Sequence, residues 1–264
     1  MTKNGPFALL FHTLVVIFML APMVVVCLVA FTPENTLTMP WNGFSLRWFY
    51  AVFAHNDFMT SFSNSLKLAI FSATISTLLA VPSGLAIAQY NFRGRDALNA
   101  LFLSPLIIPH LVLGVAFLRL FSLMGLTGSF AWLVATHVIV VTPYALRLIL
   151  ASLSGMDRNA ENAARTLGAG EWTVFRRVTL PLLLPGLSGG WLLAFINSFD
   201  ELTMSIFVTS PSTVTLPVRM YMYASESIDP MMAAVSALMI LVATVTMVII
   251  DRLFGLDRVL VGKG

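Results

Sequence analysis

The sequence predicts an all-α membrane protein with six transmembrane helices. Three observations carry this: an apolar composition, six long uncharged runs, and a skewed placement of Lys and Arg. Of 264 residues, 58% are hydrophobic and 10% are charged. Mean hydropathy is +0.89. A soluble domain has roughly 45–50% apolar and ~25% charged residues. So apolar a chain cannot hide its surface in one soluble core, which excludes an ordinary soluble enzyme, a disordered chain and a disulfide scaffold. The single cysteine, Cys27, lies in an apolar run and reads as a packing residue. The few charges are scattered, which argues against a nucleic-acid partner.

The runs free of Asp, Glu, Lys and Arg are Phe7–Phe31 (25 residues), Leu68–Phe92 (25), Ala97–Leu118 (22), Leu120–Leu146 (27), Val178–Phe199 (22) and Pro230–Ile250 (21). About 20 apolar residues span the hydrocarbon as a helix. Backbone groups in lipid must bond within the segment or in a closed barrel. Barrel strands alternate apolar and polar residues, and these runs do not. The first run is too long for a signal-peptide core and lacks a clean cleavage site. It is read as an uncleaved span. A further uncharged run, Leu202–Val218, is broken by Pro211 and Pro217; its first part reads as the end of the fifth helix. The expected spans are about 7–31, 66–90, 98–122, 130–150, 182–208 and 230–252, in one transmembrane domain over 1–264. Lys and Arg number 11 on one side against three on the other, leaving out Arg119 within the third span. The positive-inside rule then places both termini in the cytoplasm.

The connection at about 151–181 is the longest on the cytoplasmic side. Asp157 is a reasonable N-cap. Ala160, Ala163, Ala164 and Leu167 recur at helical spacing, and Gly168 and Gly170 end that helix. A second helix follows, with Trp172, Phe175 and Val178 at i, i+3 and i+6. The result is a two-helix element with a small apolar face, suited to another protein's groove.

These residues resemble the cytoplasmic loop of binding-protein-dependent ABC importer permeases, Glu-Ala-Ala-x3-Gly-x9-Ile-x-Leu-Pro. Here the pattern reads Asn162-Ala163-Ala164, Gly168, Val178, Leu180-Pro181. Asn162 stands where the family commonly has Glu, and Val178 where it has Ile. Glu161 lies one residue early, about 100° round a helix. The segments Asn64-Ser65-Leu66, Tyr90 to Arg95, Pro105 with Pro109, and Pro143-Tyr144 also look like this family. Phe199-Asp200-Glu201-Leu202 through Leu216-Pro217 is similar to the second permease subunit of spermidine/putrescine-type importers. The resemblance implies the type I importer permease fold in the bacterial inner membrane. It implies ATPase coupling through Glu161, Asn162, Ala163, Ala164, Leu167 and Gly168. It also implies an ATPase subunit dimer that binds ATP and Mg, a second homologous permease, a periplasmic solute-binding protein and surrounding membrane lipid as partners. The chain itself is expected to need no cofactor or metal and to be no enzyme. Relatives in the group carry polyamines, opines, aminobutyrate or aminoethylphosphonate.

Phe199, Asp200 and Glu201 are the candidate substrate-path residues. By helical rise the two carboxylates lie near the outer end of the fifth helix, at a depth where either could pair with Arg119. Intramembrane charges face a partner or a cavity, so an ion pair, a patch for cationic amines and surface exposure all stay open. The prolines and glycines inside the spans fit either ordinary close packing or bent helices lining a path. Gly186-Leu187-Ser188-Gly189 matches an intramembrane serine-protease motif, but no histidine follows Ser188, and a serine nucleophile needs a base. The histidines lack metal-ligand spacing; His110 and His137 read as bonded bundle residues. A channel or structural membrane subunit is the rival from another class; it needs no loop of this spacing.

Overall fold

The computed structural model describes residues 5–254, and all of its regular elements are helical. In chain order they are α1 (Pro6–Val29), α2 (Arg47–Ala54), α3 (Asn56–Gln89), α4 (Arg95–Leu103), α5 (His110–Met124), α6 (Phe130–Ser154), α7 (Asn159–Thr166), α8 (Glu171–Val174), α9 (Leu180–Phe199), α10 (Ser205–Val208), α11 (Leu216–Glu226) and α12 (Pro230–Phe254). Among the described residues five helices are long and apolar enough to cross a membrane, or six if one bent pair counts as a span.

The bent pair corrects the straight third helix expected over 98–122. Arg95–Leu106 and His110–Met124 meet at 99°. The cause is written in the chain. Pro105 sits in a short 3-10 turn, Ser104–Leu106, and Pro109 is the extended N-cap of α5. Proline gives no N–H and pushes the preceding residue out of the helical region. Two other boundaries move. α3 starts at Asn56, ten residues before the expected 66, because its first turns are polar yet helical. The fifth helix stops at Phe199 instead of continuing to 208; a non-helical turn and the short α10 follow. Leu202 to Val208 is therefore not the end of that helix.

The described residues fall into two compact units, those within Met1–Thr60 and Arg219–Ala243 and those within Ser61–Val218 and Thr244–Gly264. In the first, the Arg47 guanidinium donates to Pro33 O and Asn35 Oδ1, while Trp48 Nε1 donates to Glu34 O. The 33–48 segment is thus folded on itself. Arg219 pairs with Asp57 at 3.3 Å. α1 is almost bare within the subunit: only 6% of its apolar window is buried, against 67% for α6. A helix so exposed and apolar has lipid or another apolar surface as its natural surroundings.

In the second unit α6 is the centre. It packs along α9, and α3 closes on both. The core joins Ala80 and Ile87 of α3, Ala145, Leu146, Ile149 and Leu153 of α6, and Leu183 of α9. Glycine permits the approach. A Cβ on Gly186 would lie 2.5 Å from Ser152 Cβ, and one on Gly190 would lie 3.1 Å from the Ala145 backbone. Without a hydrophobic drive between helices in lipid, such close contact supplies much of the association.

Candidate functional site

Two regions of the second unit hold the residues singled out from the sequence. The first is the connection between α6 and α9. Asp157 Oδ1 accepts the N–H of Asn159, the first residue of α7, at 2.9 Å, while Arg158 is the N-cap and makes no side-chain cap bond. Gly168 ends the element at φ +86°, with its N–H on Arg165 O and the Ala169 N–H on Ala164 O. That left-handed conformation favours glycine. Ala160, Asn162, Ala163, Leu167 and Gly168 are exposed and Ala164 is half-buried. Leu167 is 89% exposed. Glu161 is the exception. It is 3% exposed and its Oε1 accepts from the Thr179 hydroxyl, with Arg165 Nη1 4.0 Å from Oε2. Its side chain therefore faces into the subunit, away from the surface that its neighbours present.

The second helix of the connection also differs from expectation. α8 runs through a π turn, Phe175–Thr179, directly into α9, so it is the first part of the span helix. The wider turn shifts the register. Val174 is buried and Trp172 is 71% exposed; the Trp172 and Phe175 rings still pack at 5.5 Å, and Phe175 and Val178 are half-buried. Arg165 and Glu171 form a two-pronged pair, Nε–Oε1 at 2.9 Å and Nη2–Oε2 at 3.1 Å. That hydrogen bonding holds the Glu171 carboxyl below its ordinary range and raises Arg165.

The second region is the break after α9. Phe199 is buried, stacked on Phe195 at 5.8 Å and edge-on to Phe62. Glu201 is buried as well. Its Oε1 accepts the Met204 N–H at 2.8 Å, and its Oε2 accepts the Ser205 N–H at 2.9 Å and the Ser205 hydroxyl at 2.7 Å. It also lies 3.5 Å from His110 Nδ1. Of the three candidate path residues, Asp200 alone is exposed.

His110 is the first residue of α5, so the fifteen residues of that helix carry about 22 Å of rise between the level of Glu201 and Met124. The break lies at the end of α9, where the carboxylates were expected, but that end is level with the first residue of α5, far from Met124. This removes the Arg119 pairing. Arg119 is exposed nine residues further along α5, roughly 13 Å away by helical rise, and Glu201 has other partners.

His137 is fully buried; its Nδ1 lies 2.9 Å from Ser198 Oγ and its Nε2 3.1 Å from Ser205 Oγ. It is a bonded bundle residue, as read from the sequence. Ser188 donates to Pro185 O of its own helix. Elsewhere Asn64 Nδ2 donates to Ser212 O and Val214 O, and Ser65 Oγ accepts the Leu216 N–H. Those two side chains satisfy the non-helical backbone before α11. The sequence reading noticed Asn64 and Ser65 but gave them no role. Thr179, Ser198 and Ser205 went unnoticed; the available signal was a small polar residue within an apolar run. Among the described residues, no group of three or more His, Cys, Asp or Glu converges as metal ligands do.

Residues 80–255 match the family described as binding-protein-dependent transport system inner membrane component. The chain belongs to this family. It is a multi-pass permease component of an ABC importer. The spermidine/putrescine transport system permease protein PotC of Haemophilus influenzae is 30% identical over 243 residues, covering 92% of this chain and 94% of that protein. The molybdenum transport system permease protein ModB of Mycobacterium bovis is 36% identical over 225 residues, covering 78% and 85%. In fold, the chain is similar to a bacterial ABC transporter involved in the import of the acidic polysaccharide alginate, with a TM-score of 0.68 at 16% identity and 96% of each chain covered.

Proposed function

We propose that this permease moves a small cationic amine, of the polyamine class, across the bacterial inner membrane by alternating access. The observation that carries the solute class is Asp200: an exposed carboxylate at a helix break deep along α5. Intramembrane carboxylates attract a counter-charge, and an anionic solute would meet repulsion there. The name of the Haemophilus relative agrees with a cation. The name of the Mycobacterium relative shows that the family also serves other cargo.

The same reading assigns the α6–α9 connection to an ATPase subunit dimer that holds ATP and Mg. The chain itself takes no cofactor and catalyses no reaction. Its exposed surface combines Ala160, Asn162 and Ala163 with Leu167 and Trp172, a largely apolar patch suited to a partner's groove. Asn162, Ala163, Ala164, Leu167 and Gly168 present that surface, and Glu161 supports it from behind. The remaining partners are a second homologous permease and a periplasmic solute-binding protein, with both termini cytoplasmic. ATP-driven closure moves the connection, α9 moves with it, and the open side of the path changes. Nucleotide drives this only through its different affinities for the two states.

The test is uptake into vesicles by the chain assembled with its operon neighbours. Labelled amines, an opine, aminobutyrate and aminoethylphosphonate are compared. Asp200→Asn is expected to lower uptake of cationic solutes about tenfold, a loss of ~1.4 kcal/mol. Unchanged uptake, or stimulation of ATP hydrolysis by an anionic solute alone, overturns the solute class.

A further inference from the structure

The break after α9 leaves a non-helical stretch, Asp200 to Met204, inside a membrane helix bundle. Irregular backbone at such depth persists only where protein groups satisfy it. Here the two sides of the break are tied to one imidazole. His137, on α6, bonds Ser198 in the last turn of α9 and Ser205 at the start of α10. Ser72 of α3 adds a third helix, 2.8 Å from Ser198 Oγ; its hydroxyl also lies 2.5 Å from Leu68 O in its own helix.

The donors can be assigned by counting protons. A hydroxyl has one. Ser205 Oγ donates to Glu201 Oε2 at 2.7 Å, so it must accept from His137, which puts the ring proton on Nε2. Nδ1 then accepts from Ser198, while the single Ser72 proton goes to Leu68 O of its own helix. The bonds therefore run one way, Ser198 to His137 to Ser205 to Glu201, and end on a carboxylate. Bonds aligned in series polarise one another. An apolar side chain would fill this space at lower desolvation cost, so packing alone does not account for a buried imidazole.

We propose that His137 is a positioning residue that pins both sides of the break and thereby holds Asp200 facing out of the subunit. This rests on the role given to Asp200 above, but the pinning itself needs no solute. The donor assignment sets a sharp condition: position 137 must offer one acceptor toward Ser198 and one donor toward Ser205. Glutamine can meet that condition. Phenylalanine keeps the bulk and offers neither.

The experiment places a nitroxide at residue 200 (Asp200→Cys in a Cys27→Ser background, since Cys27 is the sole cysteine) in the assembled importer in membranes. His137→Gln should leave label mobility within about twofold, and His137→Phe should shorten its correlation time about fivefold or more, by analogy with loop rather than helix motion. A control label at Leu193→Cys, on the exposed side of α9, should not respond. An unchanged label at 200 in His137→Phe overturns the proposal, as does equal loosening at 193 and 200. If His137→Phe is not recovered, Ser198→Ala with Ser205→Ala removes both anchors and carries the same expectation. Uptake supplies a second readout in the unlabelled chain. His137→Phe should cost about tenfold, and add little in an Asp200→Asn background, because residues acting as a unit are not additive. If Asp200→Asn itself leaves uptake intact while the label responds as stated, the path reading fails and the pinning stands.

Discussion

Glu161 and Glu201 are two buried carboxylates in very different surroundings. Each sits beside an exposed neighbour, Asn162 in one case and Asp200 in the other. Glu161 faces a side-chain hydroxyl, Thr179, eighteen residues away, and a half-exposed Arg165. Glu201 takes two backbone N–H groups from the very next helix, together with the Ser205 hydroxyl. The contrast follows from the solvent. At the edge of the bundle a broken helix can complete its bonds with water. Within the bundle it cannot, and a carboxylate does that work. In both regions the acid supports, and the residue next to it presents the outward surface.

The comparison can be broken by substitution, beginning with the largest effect. Glu201→Ala strands the Met204 and Ser205 N–H groups; at ~1–3 kcal/mol for each unsatisfied buried group, most of the folded protein should be lost, as read by thermal size-exclusion of the detergent-solubilised chain. Glu201→Gln should recover part of it. Gly168→Val meets no neighbour, since nothing lies within 4 Å of its Cβ position, but must adopt φ +86° at a cost of ~1–2 kcal/mol. The protein should stay in the membrane while ATP-driven uptake falls about tenfold; full uptake would count against coupling through this turn. Glu161→Ala should cost about 1 kcal/mol, the worth of a typical bond. If it destabilises as much as Glu201→Ala, the contrast drawn between the two acids is wrong. Asp200→Asn removes an exposed charge and should move stability by no more than about 0.5 kcal/mol, whatever it does to uptake.

The smallest effect belongs to the solvent-facing Arg165–Glu171 pair. Its carboxyl is held below the ordinary range by the guanidinium, so any stabilisation is present at neutral pH and fades as pH falls through that lowered value. Salt should erase it too. A melting curve for Arg165→Gln that diverges from wild type below pH 4 and not above would reverse this sign.

Much of this was legible in the residues. Uncharged length located the spans, because the backbone must bond internally in lipid. Asp157 and Gly168 marked the ends of α7, because caps and breakers act locally; Leu180-Pro181 did not mark the start of the span helix, which runs unbroken from Glu171. Uncharged length could not show where a run bends: Pro105 and Pro109 lie inside one run, and only the observed 99° turn reveals two helices. Nor could it show that the fifth helix stops at Phe199, since Leu202 to Val208 is as apolar as what precedes it. Side-chain direction was legible for one acid only. Glu161 was placed off the docking face by the 100° step of a helix. Glu201 was rightly placed at the end of the fifth helix, but its role among the open readings was not legible, because its ligands are backbone N–H groups beyond a break that uncharged length does not show.

The π turn at Phe175–Thr179 has a mechanical corollary. No flexible loop separates residues 171–174 from α9, so a push on Trp172 travels as a tilt or twist of one rod. The give in that rod is the five-residue widened turn, and Thr179, at its end, is the residue Glu161 grips. Deleting one residue from the regular winding of α9, outside that turn, would swing everything before it by about 100°. The stroke would survive and point the wrong way.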